Sequence, residues 1–190
     1  MSTPEDILDD LKQQFDLAVR NNRKWFLRAM THRSFANERE LEYDNERLEF
    51  LGDAVLDLII CEYLFQEFPS AEEGKLSEIK SAVVNTRTLT RVARELELND
   101  FLRLSKGEQR AERGRDKVVA DSLEAFIGAI YVSSGLERTR SFILPYFEEE
   151  IDRYLEEGTR NYKGMDRVIR STGWRTCPVL STTPCTPFPC

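Results

Sequence analysis

The sequence contains very little histidine, and this shortage excludes several kinds of metal and hydrolase site. His32 is the single histidine among 190 residues. A Glu-x-x-His di-iron site or a His-Asp phosphohydrolase centre cannot be built from one histidine, and zinc is disfavoured for the same reason. A Ser-His-Asp triad would have to use His32, and no serine lies in a nucleophile-elbow pattern. We therefore predict that His32 is a structural hydrogen-bonding residue.

Cysteines and long apolar runs are also scarce. Cys61 falls in a helical pattern and is predicted to be a core residue, whereas Cys177, Cys185 and Cys190 have no disulfide-framework or Cys-x-x-Cys spacing. The most apolar run, residues 125–132, is far shorter than the roughly 20 residues that span a bilayer. The acidic N-terminus lacks the apolar stretch of a secretory signal. We expect no membrane contact, a reducing compartment and a cytoplasmic location.

Positive charge is the minority sign. The chain has 27 basic and 34 acidic residues, a net charge of −7. Nucleic-acid binding normally uses a basic surface, so the net charge taken alone argues against it. The argument is weak for a metal-dependent nuclease, because such an enzyme concentrates carboxylates at its site and gains positive charge from the metal.

Apolar residues recur with helical spacing along most of the chain. Long helices are predicted at residues 43–68, 117–133 and 136–155. Gly52 and Gly128 lie inside the first two, and each costs about 1 kcal/mol relative to alanine, so we expect a second backbone to approach there. Because no segment alternates polar and apolar residues for long enough to form a strand, the sequence predicts an all-α domain.

The composition changes near residue 158. Residues 164–190 contain four of the seven prolines and three of the four cysteines. Such a segment is poor core material. We predict a domain at residues 1–157, followed at 158–190 by a linker and a disordered Cys/Pro/Thr-rich tail whose cysteines are inert.

Carboxylates recur on one face of the 43–68 helix. Glu46, Glu49 and Asp53 are spaced so that all three share that face, where like charges cost tenths of a kcal/mol per pair. A hard divalent cation would reverse this penalty. Asp121 and Glu124 lie three residues apart on the 117–133 helix. Two such helices facing each other would form a carboxylate site for Mg²⁺ or Mn²⁺, although the spacing also fits a solvated helix face.

Four segments of the sequence carry a recognisable pattern. They are Thr31-His-Arg-Ser34, Asn45-Glu-Arg-Leu-Glu-Phe-Leu-Gly-Asp-Ala-Val-Leu56, Glu73-Gly74 with Leu76-Ser77, and Ala120-Asp-Ser-Leu-Glu-Ala-Phe-Ile-Gly-Ala-Ile-Tyr131. In this order they resemble the nuclease domain of the ribonuclease III family. The resemblance covers about residues 5–155 and implies a ribonuclease III endonuclease-domain-like helical bundle. It also implies a homodimeric, Mg²⁺-dependent endoribonuclease that processes ribosomal or messenger RNA precursors. The family's products from double-stranded RNA have 5′-phosphate and 3′-hydroxyl ends with two-nucleotide 3′ overhangs.

The resemblance assigns roles to individual residues. It implies that Asp53 and Glu124 are catalytic, that Glu46 and Glu73 are accessory acids, and that Phe50 is a dimer contact. The implied metal ligands are Glu49, Asp53, Asp121 and Glu124. Bound cations would activate water and neutralise the phosphate, so neither a histidine nor a nucleotide cofactor is expected, and Mn²⁺ could substitute for Mg²⁺.

The basic segment at residues 105–116 has two interpretations. It has no large apolar residue and is predicted to be an exposed loop. Its charges, with the lysine that follows, either contact RNA phosphates or are merely solvated. The candidates are Lys106, Arg110, Arg113, Arg115 and Lys117.

The chain departs from the bacterial family pattern after the last predicted helix. Only about 35 residues follow, too few for the usual double-stranded RNA-binding domain. Either this is a member with the nuclease domain alone, or the chain is truncated with an unrelated tail. The alternative function is a non-catalytic dimeric RNA-binding or ribosome-associated protein of the same fold. The presence of all four predicted ligands favours the enzyme.

Overall fold

A computed structural model describes residues 23–110 and 114–157. No strand forms in these residues, although an isolated parallel bridge joins Thr31 and Arg103. The all-α prediction is therefore confirmed for this part of the chain. Predictions for residues 1–22, for Arg113 and for residues 158–190, including the domain boundary and the tail, lie outside the described residues. The helices are α1 (Arg23–Ala29), α2 (Arg33–Glu38), α3 (Glu46–Glu67), α4 (Glu73–Val83), α5 (Thr86–Glu95), α6 (Leu98–Phe101), α7 (Lys106–Arg110) and α8 (Arg115–Glu157).

The core is built around α3 and α8. Leu56, Ile59 and Ile60 of α3 are fully buried, as are Phe126 and Ile127 of α8. These positions follow the helical spacing of apolar residues in the sequence, so each helix directs a continuous apolar stripe inward. By length and composition alone α8 could cross a membrane, but most of its apolar window is buried against the other helices. That burial is the arrangement expected of a core helix.

The backbones of α3 and α8 meet at two glycines. A Cβ added at Gly52 would lie 1.7 Å from the carbonyl oxygen of Glu124, and one added at Gly128 would lie 2.3 Å from the carbonyl oxygen of Leu48. Both distances are far inside van der Waals contact, so no larger residue fits without moving a helix. The close approach predicted from the cost of these glycines is confirmed. It brings the acid-bearing turns of the two helices side by side.

The helix ends differ in part from the prediction. The two helices predicted at 117–133 and 136–155 are confirmed as the two segments of α8, which is kinked at Gly135, where the backbone is non-helical with φ 78°. The predicted exposed loop at 105–116 is wrong in conformation, because α7 occupies part of it and α8 begins at Arg115. Ser105 explains the extra helix: its Oγ accepts a hydrogen bond from the Glu108 amide. The predicted exposure holds for α7, which buries no residue.

The chain entering α7 is held against α1 and α2. The Arg103 amide donates to the Met30 carbonyl at 2.8 Å, and the His32 amide donates to the Arg103 carbonyl at 3.2 Å. The Arg103 guanidinium donates to Thr31 Oγ1 at 3.1 Å and lies 4.4 Å from the ring centre of Phe35. These contacts fix the starting point of the basic segment.

Candidate metal centre

Two helices supply the acids of the candidate centre. One carboxylate oxygen from each of Glu49, Asp121 and Glu124 lies within 4.8 Å of the other two. Asp53 is exposed on the next turn of α3 and is not a member of this group. It follows Glu49 by one helical turn on the same face of α3, and its negative charge raises the pKa of Glu124. We call Glu49, Asp121 and Glu124 the carboxylate cluster; the role of these residues as ligands stays a prediction.

The electrostatics of the carboxylate cluster favour a cation. The pKa of Glu124 is raised to about 7, first by burial and then by the negative charges of Asp53, Asp121 and Glu49. Burial also raises the pKa of Glu49, with the Asp121 charge as the next cause. Raised pKa values of this kind indicate that the positive charge around these carboxylates is too small to balance their negative charge. Oxygen donors with excess negative charge fit Mg²⁺ or Mn²⁺, and the single histidine of the chain caps a different helix.

Among the predicted RNA contacts that the structure describes, Lys117 lies at the carboxylate cluster. Its Nζ donates to Asp121 Oδ2 at 2.9 Å, one turn along α8. Its charge lowers the pKa of both Glu124 and Glu49. The single positive charge of Lys117 therefore neutralises part of the negative charge of the carboxylate cluster.

The two predicted accessory acids lie outside the carboxylate cluster. Glu46 is exposed in the first turn of α3, where Arg33 Nη1 donates to its Oε1 at 2.9 Å. Glu73 is exposed in the first turn of α4 and accepts a hydrogen bond from Ser77 Oγ at 2.8 Å. Both acids thus have local partners, and their accessory roles stay predictions.

Three further basic candidates that the structure describes are on the surface. Lys106 and Arg110 are exposed on α7, and Arg115 is exposed at the start of α8. Arg115 Nη1 donates to the Gln109 carbonyl at 3.2 Å, which joins α8 to α7. The positions leave these side chains accessible to a large ligand, whereas Arg113 lies outside the described residues.

His32 has the structural role expected of it. Its Nδ1 accepts a hydrogen bond from the Ser34 amide at 3.2 Å, which caps the N-terminus of α2. The same nitrogen lies 2.8 Å from Ser34 Oγ. Both contacts fix the turn into α2, so the prediction of a structural histidine is confirmed.

The face of α3 opposite the core is apolar and open. Phe50 is 81% exposed, Leu58 is 51% exposed and Phe65 is 68% exposed, and we call these three residues the apolar stripe. Cys61 is exposed as well, so the prediction of a core cysteine is wrong. The error has a physical cause: α3 carries apolar residues on two faces, and Ile59 and Ile60 take the buried one. The spacing of Phe50, Leu58 and Phe65 by 8 and 7 residues indicates a second apolar face, but it does not indicate which face is buried.

Comparison with known sequences identifies the domain. A family model described as Ribonuclease-III-like matches residues 22–150. Ribonuclease 3 of Caldanaerobacter subterraneus subsp. tengcongensis is 47% identical over 132 residues, covering 68% of this chain and 58% of that protein. Ribonuclease 3 of Fusobacterium nucleatum subsp. nucleatum is 42% identical over 163 residues, covering 83% of this chain and 69% of that protein. The chain thus spans little more than half the length of the first of these relatives.

Solved structures agree with the sequence comparison. The nuclease domain of ribonuclease III from Campylobacter jejuni, at 37% identity, superposes with a TM-score of 0.65 over 75% of this chain and 94% of that one. A second structure of that domain, with a TM-score of 0.63 over 76% of this chain and 96% of that one, shows structural flexibility in a region involved in dimer formation. The match of the family model to most of the chain, together with these relatives, shows that the chain belongs to the ribonuclease III-like family.

Proposed function

We propose that this chain is a metal-dependent endoribonuclease that cleaves double-stranded RNA. The observation that carries the proposal is the convergence of Glu49, Asp121 and Glu124 from two helices to within 4.8 Å, one helical turn before Asp53 on α3. Membership of the ribonuclease III-like family supports the reaction class. Mg²⁺ is the proposed cofactor, with Mn²⁺ as a substitute. The proposed products carry 5′-phosphate and 3′-hydroxyl ends with two-nucleotide 3′ overhangs.

The chain's own contribution to the reaction is preorganisation. Glu49, Asp53, Asp121 and Glu124 would hold the cation, which when bound polarises the phosphodiester and activates water. Because Gly52 and Gly128 fix the spacing of α3 and α8, the carboxylates converge before any substrate arrives. Glu124 must lose its proton to bind a cation, and its pKa of about 7 allows this near neutral pH.

The surface of the chain fits recognition of double-stranded RNA by its backbone better than recognition of a base sequence. A-form RNA is recognised through phosphates and 2′-hydroxyls, which requires positive side chains near the site but no base-reading element. Lys106, Arg110 and Arg115 are exposed on α7 and at the start of α8, which continues to Asp121. We propose precursors of ribosomal or messenger RNA as substrates, and a cytoplasmic location where these are processed.

A gel assay tests the activity. Long double-stranded RNA incubated with the protein and Mg²⁺ at low salt should be cut, while chelation of the metal should stop the reaction. Glu124→Gln should lower the cleavage rate by about 100-fold or more, because it removes an anionic ligand. Circular dichroism should show an unchanged fold, since Glu124 is not a core residue. Glu137→Gln, the same change at an exposed position beyond Gly135, is the matched control and should cleave like wild type.

Two results would contradict this proposal. If the wild type binds double-stranded RNA at low salt but never cleaves it, the alternative of a non-catalytic RNA-binding protein would replace the enzyme. If Glu124→Gln retains the wild-type rate at limiting Mg²⁺, the assignment of the metal ligand is wrong.

We further propose that the enzyme is a homodimer formed through the apolar stripe. An open apolar face along one helix is a usual feature of a self-complementary two-fold contact. Two sites related by such an axis could each cut one strand of a duplex.

Replacement of one aromatic ring in the apolar stripe tests the dimer. Phe50→Ala should weaken dimerisation by about tenfold or more, because a two-fold contact loses the ring from both copies. Sedimentation over a concentration series would measure the change. The melting temperature of the monomer should not fall, since Phe50 is 81% exposed. An unchanged dimer constant would reject this role for Phe50.

A further inference from the structure

Lys117 occupies an electrostatically unfavourable place on α8. It is the third residue of a helix that begins at Arg115, where the partial positive charge of the helix N-terminus disfavours a cation. The side chain is 70% exposed, so packing does not hold it there, and its Nζ lies 2.9 Å from Asp121 Oδ2. A positive charge is favoured at this place by the carboxylates that the ammonium group faces.

The ammonium group faces the whole carboxylate cluster. The hydrogen bond to Asp121 raises the pKa of Lys117, and the negative charges of Asp121, Glu49 and Glu124 raise it further. These are the same three residues whose oxygens lie within 4.8 Å of one another. Lys117 and a divalent cation would therefore both neutralise the negative charge of the carboxylate cluster.

The backbone beneath Lys117 is fixed, whereas its side chain can move. Thr90 Oγ1 donates to the Asp116 carbonyl at 2.8 Å, and Arg94 Nη2 pairs with Asp116 Oδ1 at 2.6 Å. These contacts hold the first turn of α8 against α5. The exposed four-carbon stem of Lys117 can then turn Nζ away from Asp121 without disturbing the helix.

We propose that Lys117 is the resident counter-charge of the carboxylate cluster and competes with the divalent cation for Asp121. The ammonium neutralises part of the cluster before a cation binds, and it leaves Asp121 when the cation arrives, because two positive centres on one carboxylate repel. The inference rests on the metal site of the proposed function. It makes Lys117 a positioning residue that sets cation affinity, in contrast to a side chain that only contacts RNA.

Calorimetric titration with Mg²⁺ and Mn²⁺, without RNA, tests the competition. At pH 8, above the Glu124 pKa of about 7, protons compete little for the ligands. Lys117→Met should lower the Kd for the cation about three- to tenfold, because the competing charge is gone. Lys117→Gln should behave in the same way. Lys75→Met is the matched control: it also removes one lysine that pairs with an acid on its own helix, Glu78, and its cation Kd should stay at the wild-type value.

Thermal unfolding supplies a second readout that a merely structural lysine would not give. Without cation, Lys117→Met should melt about 2–5 °C below wild type, because the carboxylates repel without their counter-charge. With saturating Mg²⁺ the two melting temperatures should coincide. A lysine that only stabilises α8 would lower both values equally.

The outcomes separate this inference from the function it rests on. A cation Kd in Lys117→Met equal to or higher than that of wild type overturns the inference and leaves the metal site intact. Absence of cation binding in both proteins overturns the metal site and the inference together. Tighter binding in Lys117→Met, combined with a wild type that never cleaves RNA, would support the competition and reject the enzyme.

Discussion

Glu124 and Glu46 are glutamates on the two central helices, but their surroundings differ. Glu124 is half-buried among other acids, and its pKa is raised to about 7. Glu46 is exposed in the first turn of α3, and Arg33 pairs with it at 2.9 Å. The difference follows from position relative to the crossing of α3 and α8: Glu124 lies where the backbones touch, while Glu46 lies beyond that point. An acid in this fold becomes chemically unusual where helix packing crowds it with other acids.

The largest effect is expected from a variant that prevents the close crossing of α3 and α8. Such a variant should abolish the difference in surroundings between Glu124 and Glu46. Gly52→Val would place a side chain 1.7 Å from the Glu124 carbonyl oxygen, so the helices must separate. We expect a loss of about 3 kcal/mol or more in the free energy of unfolding, together with loss of cleavage. Thermal denaturation followed by circular dichroism measures the first effect.

Gly74→Ala is the matched control for this prediction. Nothing lies within 4 Å of a Cβ added at Gly74, which is in the first turn of α4. The protein should be unchanged or more stable by up to about 1 kcal/mol. A Gly52 variant as stable as this control would show that α3 and α8 do not need the close approach.

The pH dependence of stability should sharpen the comparison, with an intermediate effect. The pKa of Glu124 rises from 4.5 to about 7 on folding, so the folded state holds its proton more firmly. The stability that this proton gives is complete below pH 4.5 and is lost as the pH rises through 7. Without metal, the melting temperature of wild type should therefore fall relative to Glu124→Gln across this window. Between pH 4.5 and 7, the free energy of unfolding of wild type should fall by on the order of 1–2 kcal/mol relative to that of Glu124→Gln, allowing for solvent screening.

Mg²⁺ provides the control for the pH experiment. A bound cation favours the ionised carboxylate, so saturating Mg²⁺ should reduce the loss of wild-type stability with rising pH. If the melting temperatures of wild type and Glu124→Gln change in parallel from pH 4 to 8.5 without metal, the crowding of Glu124 is contradicted.

Substitution of the outlying acid should have the smallest effect. Glu46→Gln removes an exposed ion pair with Arg33, both partners being more than one-third exposed, so the free energy of unfolding should change by less than about 0.5 kcal/mol. Cleavage kinetics should give kcat/KM within about tenfold of wild type, against the much larger loss in Glu124→Gln. An equal loss in both variants would place Glu46 in the metal centre itself.

Much of this arrangement could be predicted because it depends on local spacing. Helical periodicity predicted the long helices, and the energetic cost of Gly52 predicted the close approach. The grouping of Glu49 with Asp121 came from the family resemblance, since spacing within one helix says nothing about which other helix faces it. The exposure of Cys61 could not be predicted, because α3 has two apolar faces and only tertiary packing decides which is buried. The short helix α7 depends on side-chain caps from Ser105 and from the distant Glu38, which helical periodicity does not reveal.

The bridge between Thr31 and Arg103 has a consequence for the RNA binding proposed above. It connects residues 72 apart in sequence, so the entropy of closing a large loop is lost during folding. Immediately after it, the Lys106 amide donates to Glu38 Oε2, while the start of α8 is attached to Thr90. Basic side chains carried on a backbone tied at these points lose less conformational freedom on meeting a phosphate than those on a free tail. For the RNA binding proposed above, folding would thus already have met part of the entropic cost.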